Sequence, residues 1–336
     1  MLVDSFGRSI TYLRISLTDR CNLRCLYCMP PQGIIWKPPE EILSYSEITK
    51  IVAASAQLGI HRVRLTGGEP LVRRDLPELV HSLASIPGIE EVSLTTNGVL
   101  LERLAKPLAE AGLKRVNISL DTLDANKFKQ ITRGGDIECV WRGIAAAEEA
   151  NLFPIKINTV VVRGLNSDEL LTLASLTLDH PWHIRFIELM PIGEQQDWGP
   201  GFPLPSQRYY SVKEIHQALA SLVLKSTESP EGNGPSRTYQ IPGARGTVGF
   251  ISPLGEHFCA SCNRLRLTAD GKLRSCLFSE AEVDVKASIR RGESVKGQLL
   301  KALATKPEGH GIINPAENLI YPADPTLARS MSQIGG

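Results

Sequence analysis

Six segments of strand character, each followed by a stretch of helical period, run through the first half of the chain at residues 12–17, 62–66, 91–96, 115–120, 155–161 and 183–187. Between them, Ile48, Ile51, Val52 and Ser55 share one helical face. Leu76, Leu79, Val80 and Leu83 repeat that spacing, with Asp75 expected as N-cap and Pro77 tolerated in the first turn. Leu101, Leu104, Ala105 and Leu108 form a third face, in a helix that Pro107 is expected to kink or shorten. Strand–helix alternation implies parallel strands joined by crossovers. Six units fall short of the eight in a closed barrel. The expected fold is α/β: a partial, open (β/α)6 TIM-like barrel over residues 1–192. A smaller C-terminal domain over 193–336 is expected to carry a second metal site and close the barrel's open side.

Past Met190 the pattern changes. Residues 193–206 are rich in Gly and Pro and read as a linker, followed by a short helix near 212–222. Residues 227–246 read as loop. Short strands are expected from Val248 and helices within 283–304.

Side chains alternate along a strand, so each barrel strand has a lumen set and a helix-facing set. Leu13, Ile15 and Leu17 oppose Tyr12, Arg14 and Ser16; Val63 and Leu65 oppose Arg62, Arg64 and Thr66. Val92 and Leu94 oppose Ser93, Thr95 and Asn97, and Val116, Ile118 and Leu120 oppose Asn117, Ser119 and Asp121. Lys156 pairs with Asn158 on the fifth strand, and His183 with Arg185 on the sixth. A packed barrel fills its lumen with branched apolar residues; this lumen reads as polar on every strand. A sheet with one solvated face gives the same alternation, although parallel sheets seldom leave a face bare. Four Arg and one Lys against one Asp make the face cationic in a chain whose 37 basic and 36 acidic residues nearly cancel. Convergent Arg and Lys suit a triphosphate or similar polyanion. The near-zero net charge argues against nucleic acid or an anionic membrane as partner.

Nothing in the sequence reaches the roughly 18 apolar residues of a bilayer span, and residues 1–8 lack signal or transit character. A cytoplasmic protein is expected. With 42% hydrophobic residues the chain can bury a substantial core.

Six of the seven cysteines fall into two tight groups, unlike a disulfide framework spread to staple distant loops. Cys21-x3-Cys25-x2-Cys28 follows the first strand, where α/β barrels place active-site loops. Three thiolates on one loop grip three irons of a 4Fe–4S cubane and leave the fourth open. Zinc is the competing reading, but it wants a fourth ligand that does not follow Cys28. Cys259-x2-Cys262-x13-Cys276 repeats the arrangement, and His257 would complete a zinc site there. Cys139 reads as a small buried hydrophobe. His61, His180 and His310 show no ligand spacing, and Glu69 reads as a capping or supporting group instead of a ligand contact.

The segment Cys21-Asn-Leu-Arg-Cys25-Leu-Tyr27-Cys28 resembles the signature of the radical S-adenosylmethionine enzymes. Gly67-Gly68-Glu69-Pro70, directly after the second strand, is similar to that family's glycine-rich segment, which holds the amino group of S-adenosylmethionine. The family fold is a partial barrel. Within the family, Arg14, residues 67–74, 94–98 and 119–121, Lys156, residues 185–191, Cys262-Asn-Arg264-Leu-Arg266 and the closing Gly335 and Gly336 resemble the GTP-cyclising branch that opens molybdenum cofactor biosynthesis. That resemblance implies a lyase with two 4Fe–4S clusters, held by Cys21, Cys25 and Cys28 and by Cys259, Cys262 and Cys276. It implies S-adenosylmethionine contacts at Tyr27, Gly68, Ser119 and Met190. GTP contacts are implied at Arg14, Arg64, Thr95, Lys156, Arg264 and Arg266, with Arg62 and Arg185 as further phosphate partners.

The reaction so implied uses a 5′-deoxyadenosyl radical to take the ribose 3′ hydrogen of GTP and join C3′ to C8, with no protein side chain assigned as catalyst. An electron donor, a downstream cyclic pyranopterin monophosphate synthase and a homodimer are implied partners, and the C-terminal glycines are expected to enter the active site. A radical enzyme acting on a peptide and a non-catalytic zinc protein stand as alternatives.

Overall fold

A computed structural model describes residues 2–192, 198–229, 234–311 and 329–335. Six parallel strands, β1 (Tyr12–Ser16), β2 (Arg62–Thr66), β3 (Glu91–Thr96), β4 (Arg115–Ser119), β5 (Lys156–Val161) and β6 (His183–Glu188), pair in sequence order. The crossovers carry α1 (Tyr45–Ala56), α2 (Leu76–Ala84), α3 (Leu101–Glu110), then α4 (Ala125–Thr132) with α5 (Ile137–Glu149), and α6 (Leu170–Asp179). The apolar strand sets face these helices. Leu13, Ile15, Val63, Leu65, Leu94, Val116, Ile118, Ile157, Ile184 and Phe186 are fully buried in one continuous core with Ile48, Leu79 and Leu108 of the helices. Each such side chain stabilises the fold by about 1.5–3 kcal/mol relative to exposure.

The later residues form α7 (Val212–Ala218), β7 (Lys225–Ser226), β8 (Arg237–Gln240), β9 (Thr247–Ile251), β10 (Arg264–Leu267), β11 (Lys272–Arg274) and β12 (Glu282–Asp284), then α8 (Val285–Arg290), α9 (Val295–Ala304) and α10 (Met331–Ile334). Their strands extend the barrel sheet at both edges, in the order β12-β11-β10-β1-β2-β3-β4-β5-β6-β9-β8-β7. β10 lies parallel to β1 and β9 parallel to β6, while the outermost strands run antiparallel. The sheet does not close. Among the described residues no helix is long and apolar enough to cross a membrane.

Four local expectations need correction. Asp75 occupies the N-cap position of α2, but with φ of 58° it makes no capping hydrogen bond. Pro107 neither ends nor shortens α3, which continues to Glu110 because Ala111 N still reaches Pro107 O at 3.0 Å. Residues 237–240 are strand rather than loop, held by antiparallel pairing of Arg237 with Phe250 and Tyr239 with Val248. Cys139 is partly exposed and bonds Asp136 and Arg142 along its own helix. Of the expected linker, residues 193–197 lie outside the described residues, as does Gly336.

Candidate active site

The C-terminal ends of the parallel strands open into one cavity of about 270 Å³. Cys21, Cys25 and Cys28 reach it from the loop after β1, and Gly67 and Gly68 from the turn after β2. The two loops lie in direct contact: Gly68 N donates to Thr18 O at 2.7 Å, and Glu69 N to Arg20 O at 2.8 Å. A Cβ on Gly68 would sit 2.3 Å from Arg20 O, so no larger residue fits that approach.

Glu69 is the knot behind them. Its carboxylate accepts from Leu71 N at 3.0 Å, Thr96 Oγ1 at 2.7 Å and Asn97 N at 2.7 Å, tying the ends of β2 and β3 together. Burial pushes it up to about 7, against the opposing effect of those bonds. Asn97 in turn donates to Asn22 Oδ1 at 2.8 Å, inside the cysteine loop. Glu69 therefore both caps the turn at Pro70–Val72 and supports the two loops. Tyr27 OH donates to Asp121 Oδ2 at 2.6 Å, and Asp121 Oδ1 accepts from Val160 N at 2.9 Å. Burial raises the Asp121 carboxyl to about 6 despite these bonds.

Burial also raises the first thiols, Cys21 to about 11, Cys28 to about 12 and Cys25 well above its ordinary value. Three thiols that resist ionisation alone become good ligands only for a strongly cationic group, which deprotonates them on binding. Among the described residues, no three His, Cys, Asp or Glu side chains are arranged to hold a single metal ion. A 4Fe–4S cubane takes three cysteine thiolates. The donor set fits such a cluster.

The second triad is assembled from separated pieces: Cys259 opens a short turn, Cys262 precedes β10 and Cys276 follows β11. Burial pushes Cys259 up. It would do the same to Cys262, but the charges of Lys306 and Arg264 outweigh it and hold that thiol below its ordinary value. His257 does pack here, with its Nδ1 2.9 Å from Nε2 of His310. His310 was thus unplaced by its spacing, yet belongs to this corner of the fold.

Between the triads runs a wall of cations set by strand register. Arg266, Arg14 and Arg64 are level neighbours across β10, β1 and β2; Arg264, Tyr12 and Arg62 form the next row. Arg64, Arg185, Arg266 and Lys156 are all less than 8% exposed. With its amide turned to satisfy its neighbours, Asn117 accepts from Arg185 Nη2 at 3.0 Å and from Arg64. The Tyr12 ring lies between the guanidiniums of Arg64 and Arg264, at 5.5 and 5.7 Å. Burial, then the charges of Arg185, Arg115 and Arg64, lower Lys156 to about 6, while Arg185 falls to about 9 and Arg266 to about 10 mainly through burial. Thr95 Oγ1, Asn158 Oδ1, Arg185 Nε and Arg264 Nε are buried without a hydrogen-bond partner. Polar atoms left so are costly unless a ligand completes them.

Tyr27, Gly68, Ser119 and Met190 line the central cavity, and so do Arg14, Arg64, Thr95, Arg185, Arg264 and Arg266. Lys156 lines a small adjoining recess with His183 and Arg185. Arg62 is not among the residues lining the cavity; it starts β2 level with Tyr12, with its Nε 3.9 Å from Glu91. Glu91 also takes Arg115 at 2.5 Å. Arg115 shares the parity of Asn117 and was the lumen cation that the strand reading passed over. Of the tail, Met331 and Ser332 line the cavity, and Arg266 Nη1 donates to Gly335 O at 2.8 Å, while Gly336 lies outside the described residues. A larger cavity of about 560 Å³, bordered by His216, Tyr239 and Phe250, adjoins it at Gly234, Pro235 and Phe258.

Two family models match this chain. Residues 15–177 match the Radical SAM superfamily and residues 182–312 match Molybdenum Cofactor Synthesis C. A GTP 3′,8-cyclase of Pelotomaculum thermopropionicum is 48% identical over 338 residues, covering 99% of each chain. One from Moorella thermoacetica is 48% identical over 337 residues, again covering 99% of each. Among solved structures, Streptococcus suis SuiB superposes with a TM-score of 0.62 at 14% identity, over 90% of this chain and 67% of that one. Native anSMEcpe with bound AdoMet does so with a TM-score of 0.56 at 17% identity, over 89% and 81%. At such identities the structural likeness concerns the fold alone.

Proposed function

This chain belongs to the GTP 3′,8-cyclase family of the radical S-adenosylmethionine superfamily, and from that premise we propose how its own residues divide the work. The enzyme is a lyase that converts GTP to (8S)-3′,8-cyclo-7,8-dihydroguanosine 5′-triphosphate, the first step of molybdenum cofactor biosynthesis, with two 4Fe–4S clusters and S-adenosylmethionine. Full-length identity to cyclases favours neither a peptide-acting radical enzyme nor a zinc protein.

The observation that carries the assignment of residues is the first thiol triad and the buried cationic wall lining one cavity. Cys21, Cys25 and Cys28 hold the first cluster, and Cys259, Cys262 and Cys276 the second. When bound, the clusters and S-adenosylmethionine would supply the one-electron chemistry and the hydrogen abstraction, and the cluster held by Cys259, Cys262 and Cys276 would help to seat the guanine.

The chain's own side chains position and exclude. Tyr27, Gly68, Ser119 and Met190 seat S-adenosylmethionine at the strand ends, and the Asp121 carboxylate locks the Tyr27 ring by its short hydrogen bond. Arg14, Arg64, Thr95, Lys156, Arg185, Arg264 and Arg266 take the GTP, its triphosphate offsetting charge that the fold buries without enough carboxylates. Arg62 acts at longer range, through its place beside Glu91. Placement decides which hydrogen is taken, since small displacements of reacting atoms cost large factors in rate. Residues 1–192 form the barrel unit and residues 193–336 the unit that carries the second site. In the cytoplasm, an electron donor and a downstream cyclic pyranopterin monophosphate synthase work with this enzyme, which acts as a homodimer.

The test is anaerobic reconstitution with S-adenosylmethionine, reductant and GTP, followed by mass spectrometry. Expected products are 5′-deoxyadenosine and a cyclised nucleotide isomeric with GTP, both lost in Cys21→Ala, Cys25→Ala and Cys28→Ala. Deoxyadenosine with unchanged GTP would sink the substrate assignment.

A further inference from the structure

Lys306 follows α9 and is only 5% exposed. An ammonium has three protons to place. Here Nζ donates to Cys262 Sγ at 3.2 Å, to Arg264 O at 3.1 Å and to Ser275 O at 2.8 Å. One side chain thereby joins the segment around Cys262 to the residue before Cys276, which are separated in sequence by the β10–β11 hairpin. None of these three acceptors is a carboxylate.

Arg8 makes an instructive contrast at the same site. Its guanidinium donates to Cys259 O at 2.8 Å, Glu308 O at 2.9 Å and Pro307 O at 2.6 Å, but its charge is met by Asp4 at 2.5 Å. Arg8 ties the backbone of the second site without leaving net charge there. Lys306 adds a charge. A buried ammonium whose acceptors are carbonyls and a sulfur is strongly disfavoured unless an anionic group lies close. A thiolate-ligated cluster is such a group.

We propose that Lys306 is a positioning residue of the second cluster, whose N–H···S bond to Cys262 raises that cluster's reduction potential while its two carbonyl bonds hold Cys262 and Cys276 in register. The inference rests on the proposed assignment of a cluster to Cys259, Cys262 and Cys276. Hydrogen bonds to cluster sulfurs favour the reduced, more negative state, so the direction of the shift follows from chemistry. Among the described residues the donors to the first triad are neutral: Leu23 N at 3.4 Å and the Asn97 amide at 3.9 Å to Cys21 Sγ, and the Ser332 backbone to Cys28.

The test uses the full chain with Cys21, Cys25 and Cys28 all changed to alanine, so that only the second cluster contributes. Iron and sulfide in this parent protein check the assignment itself; a parent that binds no iron refutes the assignment and the inference with it. In a parent labelled with ¹⁵N-lysine and reduced, pulsed paramagnetic resonance should show a ¹⁵N coupling carried across the Nζ–H···S bond. Adding Lys306→Met should abolish the coupling and move the reduction equilibrium at least about tenfold toward the oxidised cluster, about 59 mV for one electron. Lys306→Arg should recover at least half of that shift. An iron-loaded parent without the coupling, or an iron-loaded Lys306→Met with an unchanged midpoint, overturns the proposal. If Lys306→Met loses its iron, the coupling in the parent decides alone.

Discussion

The guanidinium of Arg266 holds the main-chain carbonyl of Gly335 at 2.8 Å, joining β10 to the C-terminal tail whose Met331 and Ser332 line the active-site cavity. Gly335 adopts φ of +70°, and a Cβ there would lie 2.5 Å from Thr66 Oγ1 and 3.2 Å from Ser16 Cβ. Both the backbone conformation and the space therefore require glycine.

Gly335→Ala should consequently lower kcat/KM about 10- to 100-fold by displacing the tail. The core is untouched, so the melting temperature should stay near the wild-type value. Steady-state assays beside thermal melts check this; full activity would show that the tail is a bystander.

Arg329 anchors the same tail from outside. Its guanidinium pairs with both Asp270 oxygens at 3.0 Å and reaches Glu282 at 2.7 Å. Arg329→Met should free the tail, with limited proteolysis near the C-terminus becoming roughly fivefold faster or more as local opening grows easier. The loss of activity should match that of Gly335→Ala. An unaltered cleavage rate would mean that the tail docks without this pair.

Lys156 should take up a proton when a triphosphate binds. Burial and its Arg neighbours hold it at about 6, so it is mostly neutral at pH 7.5 in the free protein. A polyanion reverses that balance and favours the ammonium. Calorimetry of GTP binding at pH 7.5 in buffers of different ionisation enthalpy should report uptake near one proton, lost in Lys156→Met. Uptake near zero in the wild type would contradict the assignment.

Glu69 should make the cluster-free fold less stable as pH rises. Its folded value of about 7 lies above the ordinary 4.5, so the protonated form is favoured in the fold. That contribution is full below pH 4.5 and is lost as pH climbs through 7, amounting to about 2–3 kcal/mol between pH 5 and 8. Denaturant unfolding of the wild type and Glu69→Gln across this range should give curves that converge by that amount. Parallel curves would show that Glu69 does not titrate there.

Strand periodicity reveals face but not depth. Arg14, Arg64, Lys156 and Arg185 alternate against apolar neighbours, and each is found on the lumen side, since a strand's side chains alternate with a period of two and the apolar set takes the helix-facing side. Arg62 has the same parity, yet one pleat step before Arg64 it turns to Glu91 and does not line the cavity, because alternation carries no measure of height along the barrel. Arg266 beside Arg14 was not legible from periodicity, as that pairing joins segments some 250 residues apart. The strand at Arg237–Gln240 escaped notice because it mixes polar types and owes its conformation to β9 rather than to propensity. Lys306 gave no signal at all. A single lysine after a helix looks like any solvated side chain until the fold buries it against Cys262.

The placement of β9 and β10 also constrains how this protein can be made. The exposed margins of β1 and β6 are covered only by strands near residues 250 and 265. A ribosome adding about 5–20 residues per second completes β6 several seconds before it reaches β10. Until β9 is made the nascent barrel presents two unpaired strand edges, and until β10 is made one, the surfaces most apt to recruit a neighbouring chain. Crowded polysomes and chaperone supply, more than the finished enzyme's stability, should therefore limit its yield in a cell.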